Sequence, residues 1–207
     1  MNCVPDVPPV VRSPTSKARI HWLPVSQSWA ATLKTWVYNG RYSEAIPWLL
    51  PYRTQPWAQA LLGEIRLRDP ETARKALAWF KRAASQCAGD HPAVLGLARC
   101  YQLGIGVAAN PFMARHWYLC AARCEVAEAF EPLGDIEANG VLHPINRVRA
   151  GMWYAIGCAQ LEDRDRVGQL QNKMLELLWA YPEPERSRVI DRCFDDGLQW
   201  MADNWND

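Results

Sequence analysis

Residues 97–122 have the sequence LARCYQLGIGVAANPFMARHWYLCAA. Small and large apolar residues recur here at three- and four-residue spacing, which predicts two amphipathic helices. The Gly104-x-Gly106 segment between them predicts a turn, because glycine tolerates the backbone conformations that tight turns need. Asn110-Pro111 predicts the start of the second helix, since Asn caps helices and Pro is tolerated in a first turn. The stretch therefore predicts a helical hairpin.

The same pattern returns on both sides of this stretch. Adding 36 to the residue numbers leads from Leu97 to Leu133, from Gly104 to Gly140 and from Trp117-Tyr118 to Trp153-Tyr154. A weaker copy precedes the stretch, with Trp79-Phe80 in the place of the Trp-Tyr pair. One hairpin cannot bury its apolar face alone, so neighbouring copies must stack. The chain is therefore predicted to be a helical repeat array.

The pattern resembles the Sel1-like repeat, a relative of the tetratricopeptide repeat, with a motif of roughly the form A-x-x-x-L-G-x-x-Y-x-x-G-x-G-V-x-x-D-x-x-x-A-x-x-W-Y-x-x-A-A. Residues 93–122 match nearly throughout, with Ala98 for the first Gly and Asn110 for the Asp. The next copy has Glu137 in place of Tyr and lacks the second turn glycine. The resemblance covers about residues 55–160. It implies an all-α, right-handed α-solenoid of about four helix-turn-helix repeats.

Three segments organise the chain. Residues 1–25 are rich in proline and are predicted to be a disordered arm. Residues 26–160 are predicted to form the repeat array, and residues 161–207 two amphipathic C-terminal capping helices.

Two prolines inside the array give local predictions about where helices begin. Asp69-Pro70 predicts a helix start, and Pro132, which the repeat places inside a helix, predicts a kink or a displaced start.

Composition argues against several classes of protein. The formal net charge of +1 gives no drive toward nucleic acid, and no apolar run is long enough to cross a membrane. The N-terminus is too short in apolar residues and too broken by proline for a secretory signal. Seven cysteines form an odd set without the spacing of a disulfide scaffold. We therefore expect a cytoplasmic protein with reduced thiols.

No motif predicts catalysis, a metal or a cofactor. His116, Cys120 and Cys124 share one helix stripe, but a structural zinc site needs four ligands and no fourth is placed by the sequence. The Gly104-to-Val107 segment lacks the preceding strand and the Lys-Ser/Thr pair of a phosphate loop. We therefore expect no catalytic residue, no metal ligand and no cofactor, and hence no enzyme.

The resemblance points to the inner surface of the array instead. In the related tetratricopeptide fold the first helix of each repeat lines the concave face. That geometry predicts a partner-binding face made of Lys34, Trp57, Glu64, Arg99, Gln102, Glu128, Glu131 and Asp135. We hypothesise a groove that holds a peptide or helix of another protein, with Trp57 as an anchor.

The leading functional prediction is a non-enzymatic adaptor that binds another protein. Sel1-like proteins commonly act in bacterial signalling, secretion, envelope assembly or virulence. One alternative is an enzyme, because cysteine-rich Sel1-like relatives are linked to β-lactam binding; they staple each repeat with paired cysteines, a regularity missing from this sequence. A second alternative is a structural subunit that self-associates through Trp153, Trp179 or Trp200 to form a homo-oligomer.

Overall fold

The computed structural model describes residues 27–86 and 91–205, so the predicted arm at 1–25 lies outside the described residues. The described residues fall into two compact units, divided between Arg53 and Thr54. Their boundary falls within the stretch predicted as one array. All regular secondary structure in the described ranges is helical, as the sequence predicted.

The described part of the first unit, residues 27–53, contains one helical hairpin. Helix α1 spans Gln27–Tyr38, and helix α2 spans Tyr42–Leu49 and is followed by a 3₁₀ turn at Leu50–Tyr52. Gly40, with a φ of 76°, lies in the turn between the helices. Among its residues 32–53, the buried apolar ones are Leu33, Val37, Ala45 and Leu49. They recur at helical spacing, which explains the amphipathic pattern of the two helices.

The second unit begins with three stacked hairpins. They consist of α3 (Pro56–Arg68) with α4 (Ala76–Gln86), α5 (His91–Leu103) with α6 (Pro111–Arg123), and α7 (Phe130–Ala138) with α8 (Arg147–Gln160). Each hairpin packs against the next, through α3, α4 and α5 and then through α6 and α7. This arrangement is the predicted α-solenoid.

The predicted turn between α5 and α6 is confirmed. Gly104 and Gly106 have φ values of 71° and 73°, a region that L side chains rarely adopt. A Cβ on Gly106 would also lie 2.6 Å from the carbonyl oxygen of Arg74, so glycine lets this turn approach the preceding repeat. The side chain of Asn110 accepts a hydrogen bond from the Met113 amide at 3.1 Å, as expected for a helix cap.

Aromatic rings pack into slots made by missing side chains. The buried ring of Phe80 on α4 lies against Gly63 on α3 and Gly96 on α5, where a Cβ would come within 2.6 and 2.4 Å. The ring of Tyr154 on α8 lies against Gly134 in the same way, at 2.2 Å. The glycines of the first helices thus set how closely the helices approach.

The helix start predicted at Asp69-Pro70 is wrong, and the structure shows which of the two outcomes predicted for Pro132 occurs. Asp69 does not begin a helix; its side chain accepts hydrogen bonds from Thr72 Oγ1 and the Glu71 amide, and α4 begins only at Ala76. The local hydrogen bonds of the Asp side chain favour a turn over a helix there. Pro132 displaces the start of its helix: a 3₁₀ turn covers Ala127–Ala129 and α7 begins at Phe130, so the proline falls in the first turn.

Two further helices complete the second unit. Helix α9 spans Arg164–Leu178 and helix α10 spans Glu185–Trp205, and both pack against α8. The indole Nε1 of Trp205 donates to the carbonyl oxygen of Ala122 at the end of α6, at 3.0 Å. Helix α10 therefore spans two repeats.

Candidate functional site

The predicted inner face contains a regular series of charges. Glu64, Arg99 and Asp135 occupy equivalent positions of α3, α5 and α7, directly after the Leu-Gly or Leu-Ala pair of each repeat. Arg99 follows Glu64 by 35 residues, and Lys173 on α9 follows Asp135 by 38. The sign alternates along this series, so each charge has an opposite charge on a neighbouring helix. We call these four residues the charge ladder.

The first pair of the ladder is largely removed from solvent. The side chain of Glu64 is only 2% exposed, and its Oε1 lies 3.4 Å from a guanidinium nitrogen of half-buried Arg99. Burial raises the pKa of Glu64, while the charges of Arg99 and Arg68 act in the opposite direction. Glu64 therefore supports the docking of α5 on α3 and is not an accessible contact residue.

The second pair belongs to a network. The Lys173 ammonium lies 2.8 Å from a Glu131 oxygen and 3.0 Å from an Asp135 oxygen, and Arg166 lies 3.5 Å from the other Glu131 oxygen. The hydroxyl of Tyr154 donates to Asp135 at 2.7 Å. Helix α9 thus supplies the counter-charges for Glu131 and Asp135, two residues of the predicted partner-binding face.

The protonation behaviour of this network follows from its contacts. Burial raises the pKa of Glu131, but the hydrogen bond and charge of Lys173, with Arg166, outweigh burial and hold it below its ordinary value. Burial lowers the pKa of Lys173, yet its two carboxylate partners raise it overall. Burial and the hydrogen bond to Asp135 raise the pKa of Tyr154, which keeps its hydroxyl a donor.

A second buried acid lies where the repeat formed by α7 and α8 departs from the motif. Glu137, which replaces the motif tyrosine, is 0% exposed. Arg115 on α6 lies 3.1 Å from its Oε1, and His143 in the loop before α8 lies 2.9 Å from its Oε2. Glu137 therefore ties α7 to the preceding repeat through Arg115, and its other oxygen lies beside the His143 ring without a hydrogen bond.

Two predicted residues meet at one cavity. A cavity of about 170 Å³ lies between α5, α6, α7 and the loop after α7. It is lined by Gln102, Pro111, Ala114, Asp135, Ile136, Asn139 and Val141. Gln102 Oε1 accepts from the Tyr118 hydroxyl at 2.6 Å, which orients the Gln102 amide. Apolar walls with a few oriented polar groups are typical of sites that accept a side chain.

The other predicted residues are dispersed. Lys34 belongs to the first unit, where its ammonium lies 5.8 Å from the ring centre of Tyr38. Trp57 is partly buried near the start of α3, and Glu128 is exposed in the 3₁₀ turn before α7. Of the eight predicted residues, the cavity brings together Gln102 and Asp135.

Sequence reasoning missed Lys173, which completes the charge ladder, and the residues that contact Glu131 and Glu137. Lys173 and Arg166 lie in a segment predicted only as a cap, and the pairing roles of Arg115 and His143 were not predicted. A signal existed for Lys173, because the spacing from Asp135 is close to the repeat length and the sign continues the alternation. No comparable periodicity marks His143, whose contact depends on the path of its loop.

The cysteines concern the alternative of a cysteine-stapled enzyme, and the tryptophans concern the alternative of a self-associating subunit. The five described cysteines, Cys100, Cys120, Cys124, Cys158 and Cys193, are free thiols. Trp153 is only 2% exposed, and its ring centre lies 5.0 Å from that of Trp200. Trp179 is 71% exposed, with the Arg186 guanidinium 4.0 Å from its ring centre.

The described ranges contain neither a cluster of metal-binding side chains nor a helix that could span a membrane. Cys120 Sγ lies 3.8 Å from His116 Nε2, but within 27–86 and 91–205 no three His, Cys, Asp or Glu side chains are arranged to hold a metal ion. No helix in those same ranges has the length and apolar character needed to cross a bilayer.

Comparison with known proteins agrees with this architecture. A Sel1 repeat family model matches residues 58–86 and 91–125. No curated protein matches the chain in sequence. The chain is similar in fold to the crystal structure of a Sel1 repeat protein from Oxalobacter formigenes, with a TM-score of 0.54 and 22% sequence identity. The similarity covers 77% of this chain and 48% of the Oxalobacter chain, so the present chain spans about half of that protein's length.

Proposed function

Because the chain is a Sel1-like repeat protein, we propose that it is a non-enzymatic adaptor that binds a segment of another protein on the inner surface of α5 and α7. Sel1 repeats generally mediate protein–protein interaction. The observation that carries the proposal is the cavity lined by Gln102 and Asp135, which joins two consecutive repeats. A partner side chain that enters it contacts both repeats at once.

The chemistry of the cavity supports a mixed contact. Its walls include Ala114, Ile136 and Val141, and its polar groups include the side chains of Gln102 and Asn139. Carboxamides both donate and accept hydrogen bonds, so they suit the main chain of a bound peptide or helix end. Asp135 is already engaged by Lys173 and Tyr154, so the proposed contact does not depend on a free carboxylate.

The other residues of the predicted groove stabilise the second unit or flank the binding surface in this proposal. Glu64 and the Glu131–Asp135 cluster are held in ion pairs within the second unit. Arg99, partly exposed, and Glu128, exposed, flank the binding surface and would steer a charged partner. A cytoplasmic location is part of the same proposal and accords with the free thiols of the five described cysteines.

Blocking the cavity tests the proposal. Val141, which is 53% exposed, lines the cavity, and Val141→Arg would place a long charged side chain at its mouth. Leu175→Arg, at an exposed apolar position of α9, is the matched control. We expect Val141→Arg to lower partner recovery in quantitative affinity purification by about tenfold or more, and Leu175→Arg to leave it unchanged.

The competing functions give different results. If Val141→Arg retains its partners at wild-type levels while it unfolds at the wild-type temperature, the proposed surface is wrong. A stapled β-lactam-binding relative would show far fewer than seven titratable thiols in the denatured, unreduced protein. A self-associating subunit would show a sedimentation coefficient that rises with concentration.

A further inference from the structure

A larger cavity lies elsewhere in the second unit, between the N-terminal half of α8 and residues 192–203 of α10. Its volume is about 510 Å³, within the range of small-molecule sites. It is lined by Asn146, Val148, Arg149, Met152, Arg192, Asp196, Gln199, Trp200 and Asp203. It shares no lining residue with the cavity at Gln102 and Asp135.

Two opposite charges in this cavity are unmatched. Arg192 lies 3.5 Å from Asp196, so this pair neutralises itself along one wall. Arg149 has no ion-pair or side-chain hydrogen-bond partner in the described part of the chain. Asp203 accepts from Gln199 Nε2 at 2.7 Å, but it has no cationic partner among the described residues. Among the described residues, the cavity therefore presents one cation without an ion-pair partner, Arg149 of α8, and one such anion, Asp203 of α10.

The apolar part of the cavity is held in place. Trp200 contacts three rings, with ring centres 5.0 Å from Trp153, 6.3 Å from Phe130 and 6.1 Å from Trp205. Met152, which is almost fully buried, adds a flexible thioether beside it. A wall fixed by its own packing costs little to order when a ligand binds.

We propose that this cavity is a binding site for a zwitterionic ligand of dipeptide size with an apolar side chain. The guanidinium of Arg149 receives the ligand carboxylate, for which its paired N–H groups are suited. The carboxylate of Asp203 receives the ligand ammonium. The apolar side chain packs against Trp200 and Met152. Amino acids and short peptides share this chemistry.

Blocked and unblocked peptides test the proposal on the purified full chain. The probes are leucyl-leucine, its N-acetyl form without the ammonium, its C-terminal amide without the carboxylate, and free leucine. Binding is followed by NMR through the indole signal of Trp200, assigned with Trp200→Phe, and affinities are measured by calorimetry. We expect leucyl-leucine to shift that signal and each blocked form to bind at least about tenfold more weakly.

Variants separate the two charges from general effects. Arg149→Gln and Asp203→Asn should each weaken leucyl-leucine binding by about tenfold, whereas Arg188→Gln, at an exposed position of α10 outside the cavity, should not change it. Free leucine binding as tightly as the dipeptide would identify an amino-acid site of the same chemistry. The proposal is overturned if leucyl-leucine leaves the Trp200 signal in place, or if the blocked forms or the two variants bind as well as the originals.

Discussion

At the junction between α3 and α5 a buried glutamate meets one arginine, whereas at the junction between α7 and α9 two partly exposed carboxylates share a lysine. Glu64 and Arg99 form the first junction, at 3.4 Å. Glu131, Asp135 and Lys173, with Arg166 and Tyr154, form the second. The repeat places equivalent positions at both sites, yet the number of partners and the access of water differ.

The difference determines how each junction responds to damage. A buried charge that loses its partner is left in a poorly solvated site, at a cost of several kcal/mol. A partly exposed charge that loses one partner keeps its water and its other partners. Loss of one partner should therefore lower the free energy of unfolding strongly at the first junction and only slightly at the second.

The largest effect is expected from Arg99→Met. This change keeps much of the side-chain volume and leaves the Glu64 carboxylate buried without its ion-pair partner, so we expect a loss of about 3 kcal/mol in the free energy of unfolding. Urea unfolding at pH 7 measures it. The double variant Glu64→Gln with Arg99→Met should recover most of the loss. A deficit below about 0.5 kcal/mol in the single variant would contradict the role given to this pair.

The next effect compares two glycines on the later helices of the two junctions. Gly96→Ala on α5 would place a Cβ 2.4 Å from the buried Phe80 ring, and we expect a loss of about 2 kcal/mol from overpacking. Gly168 on α9 has nothing within 4 Å of such a Cβ. Gly168→Ala should therefore stabilise the protein by about 0.5–1 kcal/mol through helix propensity alone. Thermal unfolding of both variants checks the difference, and equal effects would show that the slot at Phe80 can relax.

The contrast between the junctions also shows what the sequence could predict. The hairpins, the turn at Gly104 and Gly106, and the α-solenoid follow from local spacing and repetition, because each depends on residues near one another in the chain. The inward position of Arg99 and Asp135 was predicted from the resemblance to the tetratricopeptide fold and stays a prediction. Their partners were not predicted, since an ion pair depends on how neighbouring helices dock.

The candidate site was harder to predict than the fold for the same reason. The sequence analysis placed Glu131 and Asp135 on the partner-binding face without a counter-charge, because α9 has no repeat motif that would place Lys173 beside them. The displaced start of α7 was one of two outcomes left open for Pro132. Packing decided between them, through the 3₁₀ turn at Ala127–Ala129. The cavity at Gln102 likewise depends on the path of the loop that carries Val141.

A smaller effect is expected from Tyr154→Phe, which makes the second junction resemble the first, where Phe80 occupies the equivalent position. The change removes the hydrogen bond from the buried hydroxyl to Asp135, and we expect a loss of about 1.5 kcal/mol because the acceptor is charged. Tyr118→Phe, whose hydroxyl donates to the neutral Gln102 amide, should cost less, about 1 kcal/mol. Urea unfolding of both variants would contradict this reasoning if Tyr118→Phe were the more damaging change.

The smallest effect at neutral pH is expected from Lys173→Met. Its carboxylate partners are partly exposed and Arg166 remains beside Glu131, so we expect a loss of about 0.5–1 kcal/mol at pH 7. The matched control is Arg164→Met, which removes an exposed cation at the start of the same helix. That control should change the free energy of unfolding by less than about 0.5 kcal/mol. Urea unfolding compares the two variants, and equal losses would show that the contacts of Lys173 add nothing to stability.

The pH dependence of the two deficits sharpens the comparison most. The pKa of Glu131 is lowered in the folded protein, so its stabilisation is complete above the unfolded value and is lost as the pH falls through the folded one. In Lys173→Met, Glu131 is still partly exposed and keeps Arg166 as a partner, so this deficit should shrink at a lower pH than the deficit of Arg99→Met. The pKa of Glu64 is raised by burial, and removing Arg99 raises it further, so the buried carboxyl takes up its proton at higher pH. As the pH falls, the deficit of Arg99→Met should therefore begin to shrink while the pH is still above about 4.5, and unfolding curves measured from about pH 7 to about pH 3 separate the two windows. If the two deficits shrank over the same pH range, the difference inferred between the surroundings of Glu64 and Glu131 would be wrong.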